Sequence, residues 1–269
     1  MAGNTKVLRS RIKSVSSTLQ LTRAMELVAS SKIRRASQAM LYGRKYDEAL
    51  DSAFRPLLCD GDVQKSAYFQ DYPDQEDVIL VIAGDRGLAG GYNANVFRLA
   101  AEYEGARFIP IGKRVCDHFG KAPVSSEKFT ASQAQDLAKE ILSEFRAGKI
   151  RRFGILYTRY QSVIVQKATL SWILPFQAPD SATAPKALIF EPDAQTVLTA
   201  AAKTYLAGKI ITAVRESFAS EVTARRMAMD SAGKNAKEMI DALGLAYNRA
   251  RQGAITQEIT EIVAGSGAE

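Results

Sequence analysis

Proline is missing where it would matter most. None occurs from Lys6 to Ala53, and none from Asp193 to Val263. An internal proline removes a helical hydrogen bond and clashes with the preceding turn, so both stretches are free to be uninterrupted helices. At 1.5 Å per residue they would reach about 65–70 Å and on the order of 100 Å. Histidine occurs once, as His118, which excludes a histidine-based triad or a multi-histidine metal site; a surface or helix-end position is expected for it. The two cysteines, Cys59 and Cys116, form no CxxC pair, so a disulfide framework is excluded and reduced structural thiols are expected. No run of about eighteen uninterrupted apolar residues is present, so no transmembrane helix is expected. The N-terminus lacks the apolar core of a signal peptide, and a cytosolic compartment is expected. Acids are nearly absent at the start: residues 1–46 hold ten Lys and Arg against the single Glu26. This basic, helical segment could pass for a transit peptide, but its heptad pattern marks it as mature structure.

The proline-free C-terminal stretch is rich in Ala, Leu, Ile, Met, Lys, Arg and Glu, all strong helix formers. Asp193, after Pro192, suits an N-cap, and Gly265-Ser266-Gly267 supplies breakers at the far end. Val222, Arg225, Met229, Ala232, Ala236, Met239, Leu243, Ala246 and Ala250 alternate three and four steps, a heptad seam with Arg225 as its charged intruder. Ile211, Val214 and Phe218 enter it upstream, and it drifts to Ile255, Ile259 and Ile262 downstream. The same pattern also fits an amphipathic core helix broken at Gly208, Gly233, Gly244 and Gly253. At the other end of the chain, Leu8, Ile12, Val15 and Leu19 make two heptads. Leu21, Met25 and Val28 then shift the phase, and Ile33, Ala36 and Met40 shift it again. Neither helix has a large apolar face of its own. The simplest arrangement is an antiparallel two-stranded coiled coil, its Ala-rich seam allowing close approach.

The middle of the chain has a different period. Asp77–Ala83 is a β-branched run that suits a strand buried on both faces. A glycine-rich turn, Gly84–Gly91, leads from it into a helical pattern through Val96, Leu99, Ala100 and Tyr103. Phe108–Gly112, Phe153–Tyr157 and Val163–Leu174 read as further strands; Arg114–Phe119 and Ser132–Ala147 read as helices. This alternation predicts a small Rossmann-like α/β domain with a mostly parallel sheet. The expected organisation is an N-terminal coiled-coil helix (1–56), a connection (57–76), an α/β domain with its linker (77–192) and a long C-terminal coiled-coil helix (193–269).

Chemistry is hard to find. The Gly84–Gly91 turn sits where a phosphate loop would sit, but it is neither GxGxxG nor followed by GK[ST]. A tight strand-to-helix crossover needs the same glycines. Carboxylate pairs such as Glu258 and Glu261 lie on an amphipathic face, so no catalytic residue, cofactor site or metal site is expected. The basic N-terminal helix admits nucleic acid, an anionic membrane or an acidic protein surface as partner. Nucleic-acid binding needs stacking or base-reading groups, yet residues 1–40 contain no aromatic, and the apolar stripe is committed to the coiled coil. A basic zipper would also place its basic block ahead of the heptads, whereas here the two are interleaved. An acidic protein partner fits better.

Three motifs carry a resemblance. Arg11-Ile12-Lys13-Ser14-Val15 is followed by Leu21-Thr22-Arg23-Ala24-Met25-Glu26-Leu27-Val28-Ala29-Ser30-Ser31-Lys32. Asp85-Arg86-Gly87-Leu88-Ala89-Gly90-Gly91-Tyr92-Asn93 is similar to a DRGLCGGLN segment, with Ala89 and Tyr92 as departures. Tyr247 to Val263 reads YNRARQGAITQEITEIV, and Glu191-Pro192-Asp193 precedes the long helix. Together they resemble, over essentially the whole chain, the gamma subunits of F-type ATP synthases.

The resemblance implies a rotor shaft of two antiparallel terminal helices inside a ring of three alpha and three beta subunits. The α/β domain would lie against the epsilon subunit and the membrane-embedded c-ring. It would bind no nucleotide, and catalysis would belong to beta. Met25 and Lys32 would face the acidic lever of beta, with Arg225 making a similar polar contact; Arg251, Gln252, Thr256 and Glu258 would meet beta loops near the top of the shaft. The expected location is the cytoplasmic face of a bacterial plasma membrane, with membrane contact only through the complex. Cys59 and Cys116 do not match the dithiol insertion of chloroplast-type members, so thiol regulation is not implied. A basic coiled-coil nucleic-acid-binding protein and a nucleotide-binding enzyme built on residues 77–175 are the alternatives.

Overall fold

The computed structural model describes residues 2–179 and 190–266. Two long helices, α1 (Ala2–Leu58) and α5 (Ala194–Ser266), bracket β1 (Asp77–Ile82), α2 (Tyr92–Ala100), β2 (Arg107–Ile111), α3 (Lys113–His118), α4 (Ala131–Arg146), β3 (Arg152–Tyr160) and β4 (Gln166–Leu174). The chain divides into two compact units, residues 30–225 and residues 1–29 with 226–269.

In the larger unit the sheet order is β2-β1-β3-β4. β1 pairs in parallel with β2 and β3, and β4 joins antiparallel at the edge. β1 is buried on both faces, as its β-branched run predicts. Ile79, Val81 and Ala83 pack with Val96 and Ala100 of α2 and Val115 of α3. Val78, Leu80 and Ile82 face the opposite way, into a core with Ile141 and Phe145 of α4, Phe54 and Leu57 of α1, and Leu198 to Val214 of α5. Each fully buried Leu, Ile or Phe contributes about 1.5–3 kcal/mol, so this second layer is the main stabilising contact of the unit. α4 starts with a capping box in which the Thr130 hydroxyl accepts from Gln133 N and the Gln133 amide oxygen accepts from Thr130 N.

α1 and α5 run antiparallel within this unit. Gly43 O accepts from Thr212 Oγ1, Lys209 Nζ lies 3.0 Å from Asp47 and 2.7 Å from Asp51, and Phe54 stacks on Tyr205 at 4.1 Å. Numbers that rise along one helix fall along the other. The approach is close: a Cβ on Gly208 would lie 2.1 Å from Leu50 Cδ1. A row of buried and half-buried positions on α1 here runs through Ile33, Ala36, Met40, Gly43, Asp47, Leu50, Phe54 and Leu57 in steps of three and four, with Lys32, Ser37, Ala39 and Arg44 half-buried beside it. Burial of Phe54 and Leu57 also carries the helix past its expected end near Ala53, through Pro56 in the last turn. A proline there forfeits only one bond of an end already losing its ladder. α5 is buried nearly all round from Leu206 to Thr223. Its most apolar 18-residue window has a mean hydropathy of 1.2 and is 56% buried, as a core helix should be.

The smaller unit holds α1 to Ala29 and α5 from Arg226. Gly233 faces Leu19 and Thr22. The less exposed positions of α1 include Thr5, Leu8, Ile12, Val15, Leu19, Thr22, Glu26 and Ala29, one heptad phase, with Ser16 and the expected seam residue Met25 half-buried beside it. Leu21 and Val28, expected in the seam, are exposed, and Thr22 and Ala29 are buried in their place. On α5 the stripe runs through Met229, Gly233, Ala236, Ile240, Leu243, Tyr247, Ala250 and Ala254. Met239, at 53% exposure, and Ala246 yield to Ile240 and Tyr247. Small and polar residues at seam positions produce the apparent phase shifts when only large apolar side chains are followed.

Other expectations at the termini and turns divide. Asp193 caps α5, accepting from Thr196 N at 2.8 Å and from Thr196 Oγ1 at 2.7 Å. α5 passes unbroken through Gly208, Gly233, Gly244 and Gly253, and includes Gly265 and Ser266; Gly267 and the 180–189 part of the linker lie outside the described residues. Val163–Val165 is a turn rather than a strand: Gln161 N and Ser162 N both donate to Val165 O, and β4 begins at Gln166.

Candidate functional site

In an open α/β sheet, ligands bind outside the carboxyl ends of the strands, where the connections diverge to opposite sides. Here that point lies beyond β1, between its neighbours β2 and β3, at the Gly84–Gly91 loop. The crevice is filled by the chain itself. β3 outruns β1, so its backbone from Thr158 to Tyr160 pairs with β4 on one side and has no strand on the β1 side. Side chains of α5 take the strand's place: Ser217 Oγ accepts from Thr158 N at 3.4 Å, Ser220 Oγ donates to Thr158 O at 3.1 Å, and Glu216 Oε1 accepts from Tyr160 N at 3.0 Å. Arg44 of α1 donates to Tyr160 O and pairs with Glu216 at 2.6 Å. This accounts for the row of buried polar residues on α5, since buried backbone groups require partners.

The glycine-rich loop is fastened to the same helix. The Tyr92 hydroxyl lies 3.0 Å from Ser217 O, to which it donates, and 2.7 Å from Ser217 Oγ; burial pushes the phenol well up from its ordinary value. Arg225 donates to the carbonyls of Arg86 and Gly87 at 3.3–3.4 Å and pairs with Glu221 at 2.5 Å. Burial raises the Glu221 carboxyl above the usual range, against the opposing pull of Arg225. A Cβ on Gly84 would sit 2.7 Å from the Glu221 carboxylate carbon, which shows how closely helix and loop approach. Asp85 turns the other way. It accepts from Ser125 Oγ (2.5 Å), Ser126 N (2.9 Å), Lys113 N (3.1 Å) and Glu127 N (3.3 Å), joining the ends of β1 and β2. Burial opposes its ionisation, but these donors hold the carboxyl below its ordinary value. Gly84 N is taken by Asn93 Oδ1 at 3.0 Å. A buried carboxylate and a packed helix stand where a phosphate would have to enter, so the glycines serve a crossover.

The comparisons with known proteins agree with this architecture. The family profile described as ATP synthase matches residues 4–268. The chain is 38% identical to the ATP synthase gamma chain of Moorella thermoacetica over 97% of both chains. The chain belongs to the ATP synthase gamma-chain family. Another relative is the sodium ion specific ATP synthase gamma chain of Acetobacterium woodii, 34% identical over 100% of this chain and 99% of that one. In fold, the chain is similar to a chain of the Euglena gracilis mitochondrial ATP synthase rotor, with a TM-score of 0.67 at 21% identity, covering 95% of this chain and 100% of that one. A Tetrahymena thermophila central stalk and c-ring structure gives 0.61 at 18% identity, over 79% and 99%.

The expected contact residues of this gamma-chain family member fall in both units. Lys32 and Arg225 lie in the larger one. Lys32 is half-exposed and pairs with Glu127 at 2.5 Å, whereas the Arg225 side chain is only 13% exposed and is engaged as described. Met25 is half-buried in the smaller unit, and Arg251, Gln252, Thr256 and Glu258 are exposed there. Thr256 Oγ1 donates to Gln252 O at 3.0 Å, a local helix bond that leaves the faces of these residues open. Sequence reasoning missed Glu216, Ser217, Ser220 and Glu221. Their signal was two polar pairs, Glu216-Ser217 and Ser220-Glu221, inside a stretch otherwise buried, visible only once the burial is known.

Proposed function

We propose that the chain is the central rotor shaft of an F-type ATP synthase. It passes rotation between a membrane c-ring and catalytic sites on beta subunits, and is itself non-catalytic. The observation that carries this reading, beside family membership, is the apolar surface of the smaller unit. Leu21, Leu27, Leu245, Ile255, Ile259 and Ile262 are exposed, with Leu27 at 71% and Ile262 at 70%. Such a display on two slender helices calls for a surrounding protein. A ring of three alpha and three beta subunits meets that need, and the basic face of residues 1–46 supplies long-range attraction to acidic beta segments without a locking fit.

In this proposal Met25 and Lys32 face beta, and Arg251, Gln252, Thr256 and Glu258 meet beta loops. Arg225 serves from within, by holding the Arg86–Gly87 segment on α5. The four-part division at 56, 76 and 192 assigns the terminal helices to the shaft, and residues 77–192 to contacts with the epsilon subunit and the c-ring. The rotor lies on the cytoplasmic face of a bacterial membrane, reaching it only through the complex. No nucleic acid is bound. Reconstitution with alpha, beta and the membrane sector tests the proposal. Truncation after Leu243 should lower the coupling of ATP hydrolysis to ion pumping while leaving the α/β fold intact. Undiminished coupling and torque in the truncated rotor would remove Arg251 to Glu258 from the contact set.

A further inference from the structure

A groove of about 420 Å³ lies on the larger unit, between α1, α5 and the loop that leads into α4. Its floor is apolar: Ala36 and Ala39 of α1, Ile211, Val214 and Phe218 of α5, and Phe129 of the loop. Arg35 and Arg215 stand on its wall, both exposed. Among the described residues neither enters an ion pair. The third cation, Lys32, is neutralised by Glu127. Ser126 also lines the groove; it is 4% exposed and its Oγ has no hydrogen-bond partner. Ile211 and Arg215 continue into a smaller groove of about 240 Å³ that reaches Tyr46, Thr204 and Gln135.

We infer that this groove binds an amphipathic monocarboxylate, a single anionic head on an apolar tail. Its volume is in the range of small-molecule sites, roughly 300–1,000 Å³. Two free guanidiniums present forks that match a carboxylate, and Arg is better suited than Lys to that planar, bidentate contact. The Ser126 hydroxyl supplies a donor otherwise left unmade, which is costly for a buried polar group. The tail would lie on the Ala36, Ala39 and Val214 floor and extend past Ile211. A neutral alcohol of the same length would gain the apolar contact alone. A cationic head would meet Arg35 and Arg215 unfavourably.

The inference is tested apart from the rotor assignment, since the titration uses the free chain, in which Lys32 at the groove is held by Glu127. Calorimetric titration of the full chain with decanoate, decanol and decyltrimethylammonium tests it. Decanoate should bind at one site, at least tenfold more tightly than decanol, with no saturable binding of the ammonium. Arg215→Gln should weaken decanoate about tenfold, the scale of one charge-assisted hydrogen bond, and leave decanol unchanged. Ala39→Trp, which fills the floor, should abolish binding of both while circular dichroism confirms the fold. Equal affinities for decanoate and decanol, an unmoved decanoate affinity in Arg215→Gln, or retention of binding in Ala39→Trp would each overturn the inference. So would the absence of saturable decanoate binding, including the case in which only an acidic helical peptide binds.

Discussion

Replacing Arg225 by methionine removes the cation that offsets a buried carboxylate while keeping most of the side-chain volume. The Glu221 side chain is 4% exposed and that of Arg225 13%, so the pair lies well out of water. Breaking a buried pair by removing one partner costs about 3–5 kcal/mol, because the remaining charge is uncompensated. Here the carbonyls of Arg86 and Gly87 lose a donor as well. Glu221 has a way out, since it can take up a proton. Burial already raises its folded-state pKa above the unfolded value, and neighbouring Asp85 and Glu127 push the same way. With the native state binding the extra proton, stability is fully present below the unfolded pKa and is lost as pH rises through the folded one. Losing Arg225 extends that window upward. Urea unfolding followed by the fluorescence of Trp172, the only tryptophan, reports on this unit alone. Arg225→Met should cost about 3–5 kcal/mol at pH 7.5. Between pH 7.5 and pH 5.5 it should recover part of the loss, at most about 2.7 kcal/mol for one proton over two pH units. Adding Glu221→Gln should restore more than half at pH 7.5. A loss under about 1 kcal/mol, or an equal loss at both pH values, would refute the reasoning.

Three further outcomes are expected. Gly112 has φ +113, and a Cβ there would lie 2.0 Å from Ala83 O, so Gly112→Ala should cost roughly 3 kcal/mol or more in the same assay. Asp85→Asn should cost about 2–4 kcal/mol near neutrality by weakening its charge-assisted bonds. Because the folded Asp85 pKa is depressed, its contribution is present above the unfolded pKa and lost as pH falls through the folded one, so the variant's stability should fall less steeply in acid. Thr130→Ala removes one half of the α4 capping box and should lower stability by about 1 kcal/mol.

The cap at Asp193 and the apolar run of β1 were legible because their causes are local. A side-chain acceptor at a helix start acts within three residues, and β-branched residues without interruption suit a strand covered on both sides. The seam was legible only in period. Thr22, Glu26, Gly43 and Asp47 occupy inward positions that no hydropathy pattern would select. Asp47 can stand there because Lys209 of α5 reaches it, and Gly43 because Thr212 packs on it. Arg225 stands out in the sequence as a charge in an apolar row, but nothing local shows that Glu221, one turn away, and the Arg86–Gly87 loop about 140 residues earlier meet it.

The sequence by itself therefore determined the two long helices, the α/β alternation between them and the family. Absence of proline, side-chain period and motif spacing act along the chain and need no partner to be read. Tertiary structure alone decided which residues face inward, that α5 fills the crevice a nucleotide would use, and that Glu216, Ser217 and Ser220 complete the hydrogen bonding of β3. Those outcomes depend on which groups from distant segments meet out of water. A buried polar atom is tolerable only where its complement arrives, and that is settled by packing.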